Sequence, residues 1–341
     1  MTALQYENVI IVTRKTELDD LVARFNTRAQ ARFYLEQAGQ SFERIEVAHE
    51  KHQQVLTKVR QAVPRGFKNQ VIDRELVPRF TFGEADLVVT VGQDGLVSNT
   101  AKYLTGQPIL AINPDPERFD GMLLPFTADN VAEQFYLTLH GPLHAKKVTL
   151  AKAELSDGQC LVAFNDFFIG ARSHVSARYR IEIGARSETQ SSSGIIVSTG
   201  AGSTGWLQSV YAGAAGVIEA LGGQVIPPAN GGRLNWDTDE LVYSVREPFP
   251  SIATQTSIVH GMFTDQTPLK ITSQMASNGI VFSDGVEADY LEFNSGAELT
   301  LSTAPDKAML IVPPTVDVSA TNERVAGTAV GAASAAISID G

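Results

Sequence analysis

Val88-Val-Thr-Val-Gly92-Gln-Asp-Gly95-Leu96 is the stretch on which the fold turns. A mainly β-branched run, Val88 to Val91, ends abruptly at Gly92, and Asp94 follows before a second glycine, Gly95. Residues 97–104 then read as helix, and residues 109–112 as a second apolar strand. The order is strand, tight loop, helix, strand. In such units the loop after the strand lies at the carboxyl edge of the sheet, where ligands bind. Glycines there let phosphate oxygens approach backbone N–H groups, and the start of a helix favours anions. A carboxylate in that place repels phosphate unless a metal or a proton transfer needs it. The loop therefore points to phosphoryl chemistry rather than plain nucleotide binding. Asp-Gly is also an ordinary turn dipeptide, so the rest of the chain has to decide.

The 341 residues suffice for two domains and a large buried core. A net charge of −11 argues against a general nucleic-acid or membrane binder and leaves room for a local basic patch. One cysteine, Cys160, excludes an intramolecular disulfide and a Cys-rich zinc site. It lies in the apolar run Cys160-Leu-Val-Ala-Phe164, so a buried structural thiol is expected. No basic segment leading into an apolar one opens the chain, and no run approaches the ~18 apolar residues of a membrane helix. A cytoplasmic protein is expected.

Outward from the opening stretch, residues 8–13 read as a buried strand, and Thr16 with Asp19 has the spacing of a capping box for the next helix. Lys15, at that strand's end, is either a phosphate ligand or a solvated lysine. A helix is expected over residues 42–63. His49 and His52 share its face, but no further ligand nearby supports a metal. With residues 70–73 as a strand, the alternation to residue 126 implies a parallel sheet with helices on both faces, the first domain (1–126). Asn113-Pro-Asp-Pro-Glu-Arg118 is rigid and polar, and should face the Gly92 loop from the same edge; the alternative is a proline-stiffened connection. A helix over 128–139 makes 127–146 a linker ending at Gly141-Pro142.

From residue 147 to 314 short alternating runs dominate, with one helix over 203–221, which predicts an antiparallel, sandwich-like β domain. Residues 315–341, rich in Ala, Gly, Ser and Thr, read as a flexible tail. Within the β-rich part, Ser198-Thr-Gly200-Ala-Gly202-Ser-Thr-Gly205-Trp206 contains a literal G-x-G-x-x-G. A Rossmann reading needs an acid at the end of the next strand, yet Glu219 falls within the expected helix. The loop is either an anion cradle or a tight turn with a hydroxyl cap. Asn165-Asp166 interrupts an apolar strand, which marks a strand end, a bulge or a site.

Together these pieces resemble the NAD kinase family, which carries a GGDG loop in an α/β domain, then an Asn-acid pair and a Gly-Ser-Thr loop in a β-rich domain. Here Gly92-Gln-Asp-Gly95, Asn165-Asp166 and Thr199-Gly-Ala-Gly-Ser-Thr204 fill those places. Asn113-Pro-Asp-Pro-Glu-Arg118, Ala163-Phe-Asn-Asp-Phe-Phe-Ile-Gly170, Ser192-Ser-Gly194, Trp206 and Tyr243-Ser-Val-Arg-Glu-Pro248 resemble the mitochondrial-type branch. The likeness spans about residues 8 to 313.

The resemblance implies an ATP-dependent kinase that phosphorylates the adenosine ribose 2′-hydroxyl of NAD, with Mg²⁺ carried by ATP. Asp94 would be the general base. Gly92, Gln93, Gly95, Lys15, Gly202, Ser203 and Thr204 would surround phosphates. Asn113, Asp115, Asn165, Asp166 and Trp206 would hold the dinucleotide. It also implies a homodimer acting on small nucleotides, with no nucleic-acid or membrane partner. Three positions depart from the family pattern: Gln93 replaces the second glycine, Leu96 a threonine and Asp166 a glutamate. Gln93 either blocks the approach of a phosphate or donates a hydrogen bond to it. A kinase with another acceptor (nucleoside, polyol or lipid) and a non-catalytic NAD(P)-binding regulator are the alternatives these departures leave open.

Overall fold

The computed structural model describes residues 6–314; the expected 315–341 tail lies outside the described residues. Strands β1 (Asn8–Thr13), β2 (Lys68–Asp73), β3 (Asp86–Val91) and β4 (Pro108–Asn113) form a parallel sheet in the order β2-β1-β3-β4, with β5 (Phe126–Thr127) beside β4. Every residue of β3 and β4 is buried, which is why both read as continuous apolar runs. Alternate residues serve two cores. Ile10, Val12, Val88, Ile109 and Ala111 face one side; Leu87, Val89, Val91, Leu110 and Ile112 face the other.

Helices α1 (Glu17–Phe25) and α2 (Arg28–Gln37) pack on the start of α3 (Phe42–Ala62) through Leu18, Ala31, Leu35, Phe42 and Ile45, while α3, α4 (Asp94–Ala101) and α5 (Val131–His140) flank this sheet. α3 and α5 cover one face with Val55, Val59, Val131 and Phe135. So α5, expected as a linker helix, is packed into the first core. α4 covers the other face with Leu96, Val97 and Ala101. The expected capping box forms: Asp19 N donates to Thr16 Oγ1 at 3.4 Å, and Thr16 N donates to the Asp19 carboxylate at 2.8 Å. α2 was not expected, because only Ala31 and Leu35 of it are buried and no apolar period shows.

The second half is built from β6 (Ala145–Val148), β7 (Ala151–Leu155), β8 (Cys160–Ala163), β9 (Asp166–Ala171), β10 (Ala177–Ile183), β11 (Arg186–Ser192), β12 (Ile195–Ser198), α6 (Trp206–Ala220), β13 (Leu241–Val245), β14 (His260–Phe263), β15 (Leu269–Ser273), β16 (Gly279–Ser283), β17 (Tyr290–Glu292), β18 (Glu298–Thr303) and β19 (Ala308–Ile311). Two antiparallel sheets, β11-β10-β15-β18-β7-β8 and β14-β13-β12-β9-β16-β17, enclose a core that includes Phe167, Ile169, Tyr179, Ile181 and Leu299. This is the expected antiparallel sandwich. β19 returns to run parallel to β4 and antiparallel to β6, so the first sheet takes strands from within the 147–314 span.

Three expectations are corrected. Cys160 is exposed on the edge strand β8, not buried, because it points away from the sandwich core. The strand expected over 160–169 breaks at Phe164-Asn165 into β8 and β9. The helix expected over 97–104 begins at Asp94. β11 escaped notice because its inward residues are Glu188, Gln190 and Ser192, held by hydrogen bonds rather than apolar contact; Tyr179 Oη donates to Gln190 Oε1 at 2.9 Å. Among the described residues, no helix is long and apolar enough to cross a membrane.

Candidate active site

The β3–α4 loop sits at the carboxyl edge of the parallel sheet, and Gln93 is the cap residue of α4. Asp94 is therefore the first helical residue, at the positive end of the helix. Its Oδ1 accepts a hydrogen bond from Leu123 N at 2.7 Å, which ties it to the segment after β4. A Cβ on Gly92 would stand 2.7 Å from Leu96 Cδ2 and 3.3 Å from Leu96 Cβ, so a larger residue there has to displace the Leu96 side chain. Leu96 thus fills the space under the loop as part of the α4 core. A Cβ at Gly95 would meet nothing within 4 Å, so that side of the loop is open to a ligand.

Gln93 makes no capping bond with its own helix; its Oε1 accepts from Arg14 Nη1 at 3.1 Å. Arg14, Lys15 and Arg118 bring three cations to the crevice that Gly92 and Gln93 line. Lys15 also pairs with Glu75 at 2.9 Å on the surface. Two histidines of α3 complete the wall. His49 Nδ1 lies 2.7 Å from Thr16 Oγ1, and His52 Nε2 lies 2.9 Å from Thr13 Oγ1. Burial pushes the His52 pKa below the usual histidine range, which keeps it neutral near pH 7.

Asn113 is used internally. Its Nδ2 donates to Phe119 O and its Oδ1 accepts from Asp115 N, both at 3.0 Å, which folds the Pro114–Phe119 loop back on itself. Asp115 in turn pairs with Lys51, and Lys51 reaches Glu117 at 3.1 Å. Asp115 lines the crevice, and Asn113 shapes that wall from behind.

The second constellation gathers around the break between β8 and β9. The Asp284 carboxylate, on the turn after β16, accepts from Phe164 N at 2.9 Å, Asn165 N at 2.7 Å and Asp166 N at 3.4 Å. The Asn165 carbonyl accepts from Thr199 N at 2.9 Å and lies 2.0 Å from where a Cβ on Gly202 would stand. Thr199 Oγ1 donates to Phe164 O at 2.6 Å and accepts from Gly202 N at 3.1 Å. Asn165-Asp166 and the 199–204 loop thus form one hydrogen-bonded unit. Within it Ser203 is buried and its Oγ is bonded to Gly200 O and Leu234 N, while Thr204 stays partly exposed. Phe164 and Ala201 pack into the same cluster as Leu96, Val97 and Leu123, so this unit abuts α4.

On β9, Asp166 and Phe168 point to the same side of the sheet. Phe168 stacks on Trp206 with ring centroids 6.0 Å apart, and Arg246 lies over the Trp206 ring at 5.6 Å. With Arg172 and His174 they line a second concavity. The sequence reading missed Arg14, Arg172 and Asp284 as site residues. Asp284-Gly285 after an apolar strand repeats the strand-Asp-Gly pattern of the opening stretch, and that was the available signal.

Asp166 is 8% exposed, and burial with the neighbouring Asp284 charge pushes its pKa up to about 7. The folded state therefore holds a proton that the unfolded chain releases near pH 3.8, the ordinary value. Stability from this group is complete below pH 3.8 and is lost as pH rises towards 7. Burial pushes the Asp284 carboxyl up as well, which adds with the same sign. Thermal melts of the wild type should lose a few kcal/mol between about pH 4 and pH 7. Asp166→Asn should make that slope shallower, with Asp284 carrying the remainder; an unchanged slope in the variant would show that Asp166 is not a contributing buried acid.

Neither a family model nor a curated protein sequence matches the chain. Solved structures do. Yeast NADH kinase complexed with NADH superposes with a TM-score of 0.56 at 15% identity, over 96% of this chain and 89% of that one. An NAD kinase from Archaeoglobus fulgidus in complex with ATP superposes with a TM-score of 0.50 at 16% identity, over 89% of this chain and 93% of that one. The chain has the NAD kinase fold. The expected pairing of an α/β part with a β-rich part is thus shown across nearly the whole length of both neighbours. The contact between the two constellations runs through one apolar cluster, in which Leu96, Val97 and Leu123 pack with Phe164 and Ala201.

Proposed function

We propose that this protein transfers the γ-phosphoryl group of ATP to the 2′-hydroxyl of the adenosine ribose of NAD, giving NADP. The observation that carries the reading is the placement of Asp94. It is a carboxylate at the head of α4, beside an open glycine and next to a crevice edged by Arg14, Lys15 and Arg118. Three cations suit a polyphosphate, and a carboxylate one residue beyond Gln93 of that crevice suits proton removal from an attacking hydroxyl.

In this reading Arg14, Lys15 and Arg118 bind the donor's phosphates, and the backbone at Gly92 and Gly95 lets them approach. Mg²⁺ arriving on ATP would neutralise phosphate charge. Asp94 takes the hydroxyl proton, held in place by Leu123 N. Asp166, Asn165 and Thr204 face the dinucleotide, and the Phe168–Trp206 stack with Arg246 and Arg172 offers an aromatic, cationic surface for its remaining ring and phosphates. Asn113, Gly202 and Ser203 act through the backbone they order, and Asp115 lines the crevice with its carboxylate held by Lys51. Homodimer assembly, a cytoplasmic location and kinship with the mitochondrial-type branch go with the reading.

The test is NADP formation by purified protein given ATP, Mg²⁺ and NAD; no product from the wild type sinks it. A second reading, another acceptor on the same machinery, is favoured by Gln93, whose side chain is drawn across the loop by Arg14. Replacing it by glycine removes both the bond to Arg14 and the bulk at the phosphate approach. Gln93→Gly should raise NAD kinase kcat/KM by about tenfold if the glutamine narrows the acceptor range. A loss of activity would instead make Gln93 a phosphate donor ligand. Nucleosides, polyols, diacylglycerol and NADH form the acceptor panel.

A further inference from the structure

Lys102 is a buried cation that the proposed chemistry does not use. Its side chain is 2% exposed. It occupies the C-cap of α4, the helix whose first residue is Asp94. Its Nζ donates to Ser283 Oγ at 2.9 Å across the junction between the parallel sheet and the sandwich, and Asp289 Oδ2 lies 3.8 Å away. The neighbouring Tyr103 Oη bonds the same Asp289 carboxylate. Ser283, the last residue of β16, is fully buried and directly precedes Asp284. Asp284 is the residue whose carboxylate gathers the backbone N–H groups of Phe164, Asn165 and Asp166.

We propose that Lys102 is a positioning residue that ties the end of α4 to the Ser283-Asp284 turn and so sets where Asn165 and Asp166 stand relative to Asp94. The chain of contacts is continuous. Asp94 and Lys102 are opposite ends of one short helix, about 12 Å long at 1.5 Å per residue. The helix fixes the base; the lysine at its far end fixes the turn; the turn fixes the loop that faces the dinucleotide. The groups facing the ammonium are Ser283, Asp284, Asp289, Tyr103 and Arg74. Burial lowers the lysine pKa, and the two aspartates oppose that effect.

Replacing Lys102 by methionine keeps the length and the burial and removes the donor. Because it removes one partner only, Asp284 and Asp289 lose their counter-charge and some stability is lost with it. Positioning is therefore read from where the change is felt, at residues 164–166 against β3, and not from melting temperature. The kinetic part of this inference rests on the NAD kinase reading; the positional part does not.

The experiment compares wild type, Lys102→Met, Ser283→Ala and the double variant. Hydrogen exchange is read at the amides of 164–166, with β3 amides as an internal reference. The expected result is about tenfold faster exchange at 164–166 in each single variant, with β3 unchanged and a lower melting temperature in Lys102→Met, whose aspartate partners lose their counter-charge. The double variant should be no worse than Lys102→Met alone, because both changes cut the same tie. In steady-state assays KM for NAD should rise about tenfold while kcat and KM for ATP stay within about twofold. Unchanged exchange at 164–166 overturns the inference, as does a drop in kcat and melting temperature with KM for NAD unmoved. If the wild type makes no NADP, the reaction reading fails and the exchange data still decide on the tie.

Discussion

Asp94→Asn should abolish NADP formation while leaving the protein folded. Asparagine matches aspartate in shape, and its Oδ1 can still accept the hydrogen bond from Leu123 N. The loop therefore keeps its geometry. Losing one negative charge at the head of α4 costs about 0.3–1 kcal/mol of helix-dipole interaction. What disappears is the ability to accept the hydroxyl proton. General-base catalysis is worth about 10²–10⁴-fold, so kcat should fall by that factor while both KM values stay within about threefold. Residual activity within tenfold of wild type would remove Asp94 from the role of base and leave it as a loop anchor.

Gly202→Ala should be among the most damaging single methyl groups in the sandwich half. The added Cβ would lie 2.0 Å from the Asn165 carbonyl oxygen and 2.6 Å from Ser198 Oγ. Neither can step aside cheaply. The Asn165 carbonyl accepts from Thr199 N, and the Asn165 N–H is held by Asp284. Overpacking of this kind costs about 1–3 kcal/mol or more, and here the displaced backbone carries Asp166. Melting temperature should drop by roughly 3–10 °C, and affinity for the dinucleotide should fall with it. Gly213→Ala on α6 is the control, since a Cβ there meets nothing within 4 Å. It should leave both quantities unchanged or raise stability slightly. Equal stability of the two variants would refute the packing argument.

The α/β half was readable because burial writes itself into composition. β3 and β4 are covered on both faces, so both are unbroken apolar runs, and the glycines that end β3 mark the sheet's functional edge. The motifs at Gly92–Gly95, Asn165-Asp166 and 199–204 were readable for a related reason: each puts polar or backbone-permissive residues where an apolar strand would otherwise continue. β11 and α2 were not, because a polar inward face and a sparse apolar stripe carry no period. Cys160 was misplaced because an apolar run says that a strand exists, and only the neighbouring strands say which is the edge.

The local sequence of this protein determined strands, helix starts and the identity of the candidate base, since those follow from side-chain period, capping and φ preference within a few residues. Contacts between residues far apart in the chain decided the rest. Asp284 gathers the N–H groups of residues 164–166, Lys102 reaches Ser283, Arg14 takes the Gln93 amide, and β19 closes the first sheet. No local pattern encodes such pairings. A buried donor can be satisfied by any acceptor the fold brings within 3 Å or so, and the choice is made when the two sheets and α4 pack together.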